Sequence, residues 1–390
     1  MKKRGVAIIG TGGIAPFHIE GYLSEKGRTE IVALCDLFTD KCEKIAEKFN
    51  LNLDKVTITS EYKTLLDRDD IDIVSLCIPP NIHCEVACAF LNHGKHVLCE
   101  KPMASSLEEA DLMIEAQKKS NKQLGIISQN RFRESAWKVK KMIDSGVFGK
   151  VYMTRVNSMW FRGLNYYKLW WRGTWEKEGG GCTLNHSVHQ IDMLNWFIGM
   201  PNKITSVCAN VAHTNSEVED CGMSILEYPN SLAQINVSLN DMNEKQEIFF
   251  QCEKAEVSIP WSVHCMKQKE NGFCEPDEES EAKFNEIYEN LEGVDGQEGH
   301  SAEIKNFIDS LDGTSQLVVT SKDGRNALEL IYGIYKSSTL HQTVTLPLSE
   351  NDLFYKKETV LENVPHYFEK SESIDNSEGD ITTGNMKEGK

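Results

Sequence analysis

Three things are scarce in this sequence, and each scarcity narrows what the chain can be. No apolar run approaches the length needed to cross a bilayer. The charged start Met1-Lys2-Lys3-Arg4 is followed only by Gly5 and Val6-Ala7-Ile8-Ile9 before the glycines begin, which predicts no signal core. Basic charge is also short. Forty-two Lys and Arg stand against 59 Asp and Glu, a net −17, which argues against nucleic acid or an anionic membrane as a partner. The third absence is any C-x-x-C pair. The 12 cysteines include Cys35, Cys77 and Cys99 inside apolar runs, so they read as reduced, buried thiols of a cytoplasmic protein rather than a disulfide framework. No segment repeats.

What is present suffices for two domains in 390 residues. Up to residue 125, apolar runs at Gly5–Ile9, Ile31–Cys35, Ile73–Ile78, His96–Cys99 and Gln123–Ser128 alternate with amphipathic stretches at Ala15–Lys26, Lys41–Phe49, Ile82–His93 and Ser106–Lys119. That alternation predicts an α/β class with a parallel, doubly wound sheet over 1–125. From Lys150 the period changes to two, over Val151–Ser158, Ser206–His213, Cys221–Tyr228, Leu232–Leu239, Gln246–Cys252 and Val263–Lys269. This predicts a second α/β domain, 126–365, built on a largely antiparallel sheet with one face wet or covered by a partner. One helix is expected near Thr183–Ile198, and two late ones, Ser301–Leu311 and Gly324–His341, close the fold and can pack back on the first domain. The acidic stretch Glu270–Glu298 reads as solvated loop, and 366–390 as a disordered tail.

Gly10-Thr11-Gly12-Gly13-Ile14-Ala15 follows the first strand and opens a helix. A tight turn at Gly10, no side chain at Gly12 and a small Ala15 are what a pyrophosphate at a helix N-terminus requires. Asp36 ends the second strand, where a carboxylate bonds a ribose diol and repels a 2′-phosphate, so NAD is expected rather than NADP. Pro79 and Asn81 end another strand, and Val97-Leu98-Cys99-Glu100-Lys101-Pro102 delivers a cation to the same rim, because Pro102 keeps Lys101 extended. The expected cofactor contacts are Gly10, Gly12, Gly13, Ile14, Asp36, Pro79, Asn81, Glu100, Lys101 and Asn130.

After Gly179-Gly180-Gly181, helical spacing puts Asn185, His189 and Asp192 on one stripe. Taking a proton from an alcohol while hydride leaves its carbon needs a base near neutral pKa, which suits His189. Asn185 can hold the hydroxyl or the imidazole, and Asp192 can fix the tautomer or pair within the fold. His186-x-x-His189-x-x-Asp192 also has metal-ligand residue types, but no further ligand cluster accompanies it, and no metal is expected. Between Trp160 and Trp175, aromatics stand beside Arg162 and Arg172. Such a segment suits sugar rings, and equally a Trp-rich core or oligomer interface. Arg131, Tyr167 and Arg172 join Lys101, Asn185 and His189 as the expected substrate contacts.

The glycine loop, Glu100-Lys101-Pro102 and the run Gly179 to Asp192 together resemble the Gfo/Idh/MocA oxidoreductase family, over about residues 4–350. The resemblance implies a Rossmann domain followed by an α/β domain whose open sheet makes dimer or tetramer contacts. It also implies nicotinamide-dependent oxidation or reduction at a hydroxyl or keto carbon of a sugar, glycoside or cyclitol, with glycoside C3 as one form. By the same resemblance Lys101 is the active-site lysine and His189 the acid/base histidine. Many family dehydrogenases carry Asp where this chain has Asn185, and an amide cannot raise the basicity of His189 as a carboxylate would. Members with Asn there include enzymes acting on sugar nucleotides or recycling a bound cofactor. Two other classes compete: a glycosidase or lyase using tightly bound NAD transiently, and a non-catalytic NAD-binding regulator.

Overall fold

The computed structural model describes residues 3–375. Six strands, β1 (Arg4–Ile9), β2 (Thr29–Cys35), β3 (Thr57–Thr59), β4 (Ile73–Leu76), β5 (His96–Cys99) and β6 (Leu124–Ile126), form a parallel sheet in the order β3-β2-β1-β4-β5-β6. Helices α1 (Ala15–Ser24), α2 (Thr39–Lys48), α3 (His83–Asn92) and α4 (Leu107–Ser120) make the crossovers. Helices cover this sheet, so β1, β4 and β5 are continuous apolar runs in the sequence. Strand order reverses between β1 and β4, and the loops after β1, β4 and β5 leave from one edge, where sheets of this type bind ligands.

Helix α5 (Glu134–Asp144) leads to β7 (Val151–Met159), followed by α6 (Trp175–Glu178), α7 (Cys182–Asn185) and α8 (Val188–Ile198). Then come β8 (Lys203–Ala209), β9 (Cys221–Glu227), β10 (Leu232–Ser238), β11 (Gln246–Cys252), β12 (Glu256–Ile259) and β13 (Ser262–His264), with a small ribbon of β14 (Met266–Gln268) and β15 (Cys274–Pro276). Helices α9 (Glu278–Asn290), α10 (His300–Asp312) and α11 (Ser321–Leu340), strand β16 (Val344–Thr345) and α12 (Lys357–Asn363) complete the order. The second sheet runs β13-β12-β11-β7-β10-β9-β8-β16, and within it only the β7–β10 pairing is parallel. Helices α8 and α11 cover one face. On the other, Val207, Met223 and Ile225 are 63, 69 and 56% exposed, so that face is open. Helix α10 returns to the first sheet and packs Ile304 against Gly21, where a Cβ would lie 2.5 Å from the Ile304 side chain.

Several local expectations need correction. Strands β3 and β12 are too short to show a period, and α5 is not among the expected elements although Ser145-Gly146 ends it. The Val263–Lys269 run is two strands, β13 and β14, broken at Cys265. Inside the acidic stretch, α9 forms because Asp277 caps it by accepting from the Ser280 N–H, while the glutamates of its first turn suit the helix dipole. Its apolar side then buries Phe284 against Phe148 and stacks Tyr288 on Trp261 at 4.1 Å. The single helix expected over Thr183–Ile198 is two, because the Ser187 N–H reaches the Cys182 carbonyl and the Ser187 hydroxyl bonds back to the Thr183 carbonyl. The expected tail is ordered over 366–375; its remainder, 376–390, lies outside the described residues. No helix among the described residues is long and apolar enough to cross a membrane.

Candidate active site

The dinucleotide end comes first in the chain. Gly10 has φ +89°, and a Cβ there would lie 2.4 Å from the Cys77 carbonyl oxygen, so the close approach of β1 to the end of β4 requires glycine. Gly12 differs. A Cβ at Gly12 meets nothing within 4 Å, which leaves room for a ligand. Gly13 is exposed and Ile14 half-buried beside it. No side chain caps the N-terminus of α1 and no acid occupies its first turn. The Ala15 and Phe17 N–H groups bond the Gly12 and Ile14 carbonyls at 3.2 and 3.1 Å, so what the helix end offers an anion is its dipole. Asp36 accepts from the Thr11 N–H and hydroxyl at 2.8 and 3.1 Å and from the Phe38 N–H at 3.0 Å, which aims a half-buried carboxylate at the loop. Open space at Gly12, a helix N-terminus without acid and an oriented Asp36 carboxylate fit an NAD adenosine diphosphate. Pro79 and Asn81 flank the turn after β4, which His83 ties to the β5 rim by lying 2.8 Å from the Ile78 carbonyl and 3.0 Å from that of Pro102.

Lys101 emerges half-buried where β5 ends. Glu100, expected to face the cofactor, instead turns its carboxylate inward. It lies 2.9 Å from His18 Nε2 and 3.3 Å from His300 Nε2, and accepts the Lys101 N–H at 3.1 Å. Two imidazoles and a carboxylate within 4.8 Å have the chemistry of a metal site, but Glu100 Oε1 already meets both imidazoles, and hydrogen bonding accounts for the cluster. Although burial opposes it, these imidazoles hold the Glu100 carboxyl well below the usual range. Burial lowers the Lys101 ammonium, as does the nearby Arg172, while Glu100 opposes the shift.

Helix α8 brings His189 to the same place. Lys101 and His189 line one narrow cavity with Ser128, Asp192 and the apolar side chains of Met103, Ile126 and Val188. Burial first and the Lys101 charge second hold the His189 imidazole well below its ordinary range, and its Nδ1 has no partner. Asp192 does not fix the tautomer. It accepts from Arg131 Nε and Nη2 at 2.7 and 2.6 Å and from the Ser128 hydroxyl. Arg131, expected at the substrate rim, is therefore corrected: it is 1% exposed, and Asp192 and Asp323 occupy its guanidinium. Asn130 is also buried, its Oδ1 3.4 Å from Arg133 Nε. Asn185 falls before the helix break, and its amide donates to the Gly180 and Gly181 carbonyls at 2.8 and 3.3 Å, so it braces the glycine turn.

The aromatic segment comes near the same residues through Arg172, whose charge acts on both Lys101 and His186. Tyr167 is 1% exposed, packed edge-on against Tyr166 and His213, and cannot meet a substrate. Its neighbour Tyr166 is half-buried, with its hydroxyl 3.3 Å from His186 Nε2. Arg172 stacks on Tyr166 and Trp171, each at 4.1 Å, and pairs with Glu178 at 2.8 Å, leaving its Nε without a partner. Sequence reasoning missed Tyr166 and His300. A Tyr-Tyr pair in an irregular turn carries no period to choose between its members, and His300 is far from Glu100 in the chain.

The chain belongs to the Gfo/Idh/MocA oxidoreductase family. Residues 4–128 match its NAD-binding Rossmann fold and residues 140–346 its C-terminal α/β domain. It is 28% identical to a D-glucoside 3-dehydrogenase of Escherichia coli over 56% of this chain and 60% of that protein. With an inositol 2-dehydrogenase of Salmonella typhimurium it shares 24% identity over 90% of this chain and 98% of the relative. Among solved structures, the WlbA dehydrogenase of Bordetella pertussis, in complex with NADH and UDP-GlcNAcA, aligns with TM-score 0.75 and 26% identity, covering 89% of this chain and 100% of that one.

Proposed function

We propose that this family member interconverts a secondary hydroxyl and a ketone on a pyranose-like sugar, glycoside or cyclitol, with NAD as the redox partner. One observation carries the reading: Lys101 from the end of β5 and His189 from α8 are neighbours, close enough for the Lys101 charge to act on the imidazole, at the same edge of the first sheet from which the glycine loop leaves. When bound, the nicotinamide would supply a two-electron hydride acceptor or donor. In the oxidative direction Lys101 donates a hydrogen bond to the reacting oxygen and favours its alkoxide character. His189, held neutral by burial and by Lys101, accepts the hydroxyl proton. Tyr166 and Arg172 meet the ring face and polar edges of the sugar. Asn185 acts on the backbone of the Gly179–Gly181 turn and not on the hydroxyl.

The decisive test is NADH absorbance during incubation of the protein and NAD with a panel of free sugars, glycosides, sugar nucleotides and inositols. Net NADH formation with at least one of them supports the reading, and none with any rejects it. We further infer that the open face of the second sheet, with Val207, Met223 and Ile225 outward, joins two copies of the chain. A monomer mass by light scattering would reject that inference.

A further inference from the structure

The family match ends at residue 346, but the chain continues through α12 and then lays an extended segment across the outside of the aromatic wall. Tyr367 anchors it, its N–H donating to the Glu217 carbonyl at 3.0 Å and its hydroxyl to the Cys208 carbonyl at 2.7 Å. Asn215 acts as a bracket. Its Oδ1 accepts from the Ser371 and Glu372 N–H groups, and its amide donates to the carbonyls of Glu372 and Tyr167. The Lys370 ammonium reaches the same Tyr167 carbonyl, and Lys168 pairs with Glu372 at 2.9 Å. Ile374 completes the seam: its N–H donates to the Lys168 carbonyl at 2.7 Å, and its carbonyl accepts from the Trp170 N–H at 3.0 Å.

The contacts on the wall therefore fall on Tyr167, Lys168 and Trp170, all lying between Tyr166 and Arg172. A 3₁₀ turn over Leu164–Lys168 is the one regular element in that stretch. An irregular loop with few internal bonds opens easily unless something outside it holds the backbone. We propose that residues 366–374 are a strap that positions Tyr166 and Arg172, and so sets the apparent affinity for the sugar, without touching the reacting groups. This rests on the dehydrogenase reading above.

The test uses the full chain. Ile374→Pro deletes the N–H that grips Lys168, Ile374→Val keeps it, and Lys370→Met removes one donor to Tyr167. Ile374 is 41% exposed, so its replacement opens no cavity. The expected result for Ile374→Pro is a KM for the best sugar raised about tenfold, with kcat and NAD affinity within about twofold of the parent. A smaller rise is expected for Lys370→Met and none for Ile374→Val. Amide hydrogen exchange over 164–172 accelerates in Ile374→Pro alone or most strongly. An unchanged KM overturns the proposal, whether or not exchange accelerates, and so does a KM change accompanied by lost NAD affinity. If the parent oxidises nothing on the panel, the dehydrogenase reading falls separately. Unchanged exchange then overturns the strap, while acceleration upholds its grip on the wall.

Discussion

The two walls of the candidate site are held by different means. Lys101 sits at the end of a buried strand, its own N–H bound by a carboxylate between His18 and His300. Tyr166 and Arg172 sit on a loop, fixed by ring stacking, one ion pair and a strap from far along the chain. Groups that must meet a reacting atom within tenths of an ångström belong on rigid elements, whereas groups that choose among substrates can sit where sequence varies at little cost to the fold. Arg131 and Arg172 make the same point at the level of one residue type. The first is enclosed by two carboxylates, and the second keeps an unpartnered Nε beside Lys101.

That contrast breaks most directly at the reacting groups. His189→Ala is expected to lower kcat on the order of 10²- to 10⁴-fold while NAD titration stays near parental. An equal loss of NAD binding would place His189 in cofactor binding instead. Arg131→Ala comes next, and its effect falls on stability. Leaving Asp192 buried without its partner should cost about 3–5 kcal/mol in denaturant unfolding, and a loss below about 1 kcal/mol would return Arg131 to the substrate wall. Arg172→Ala should raise KM for the sugar by about tenfold, the cost of one charged hydrogen bond, and should also lower the unfolding midpoint, because Glu178, 1% exposed, loses its ion-pair partner. The smallest effect expected is on pH dependence. Because His189 titrates well below 6.5, it stays neutral and able to accept a proton as pH falls through that value. The kcat/KM for oxidation should therefore hold level from pH 8 down to 6.5. An acid limb centred above 6.5 would mean that His189 is not the base.

Much of the first lobe was legible because its signals are local. The boundaries of β5 were read to the residue, and those of α1 to α4 within two residues, since each element's pattern is completed within a dozen positions. Lys101 was legible for the same reason, a strand that ends at Glu-Lys-Pro. Asn185 misled because the i, i+4, i+7 stripe assumes one unbroken helix, and the Ser187 hydroxyl interrupts it. The 366–375 segment misled because polar composition describes a chain in water, and cannot register carbonyls and an Asn215 waiting on the folded surface.

By itself, then, the sequence determined the parallel sheet, the glycine loop with Asp36, and the delivery of Lys101 and His189. Each depends on neighbours in the chain whose spacing sets period, turn or strand end. Only the tertiary structure decided that Arg131 belongs to Asp192 and Asp323, that Tyr166 and not Tyr167 meets His186, and that Glu100 lies between His18 and His300. Those pairings join residues from separate elements, or depend on how an irregular turn rotates. Burial then selects the partner, because a charge or donor withdrawn from water must find one wherever the fold brings it.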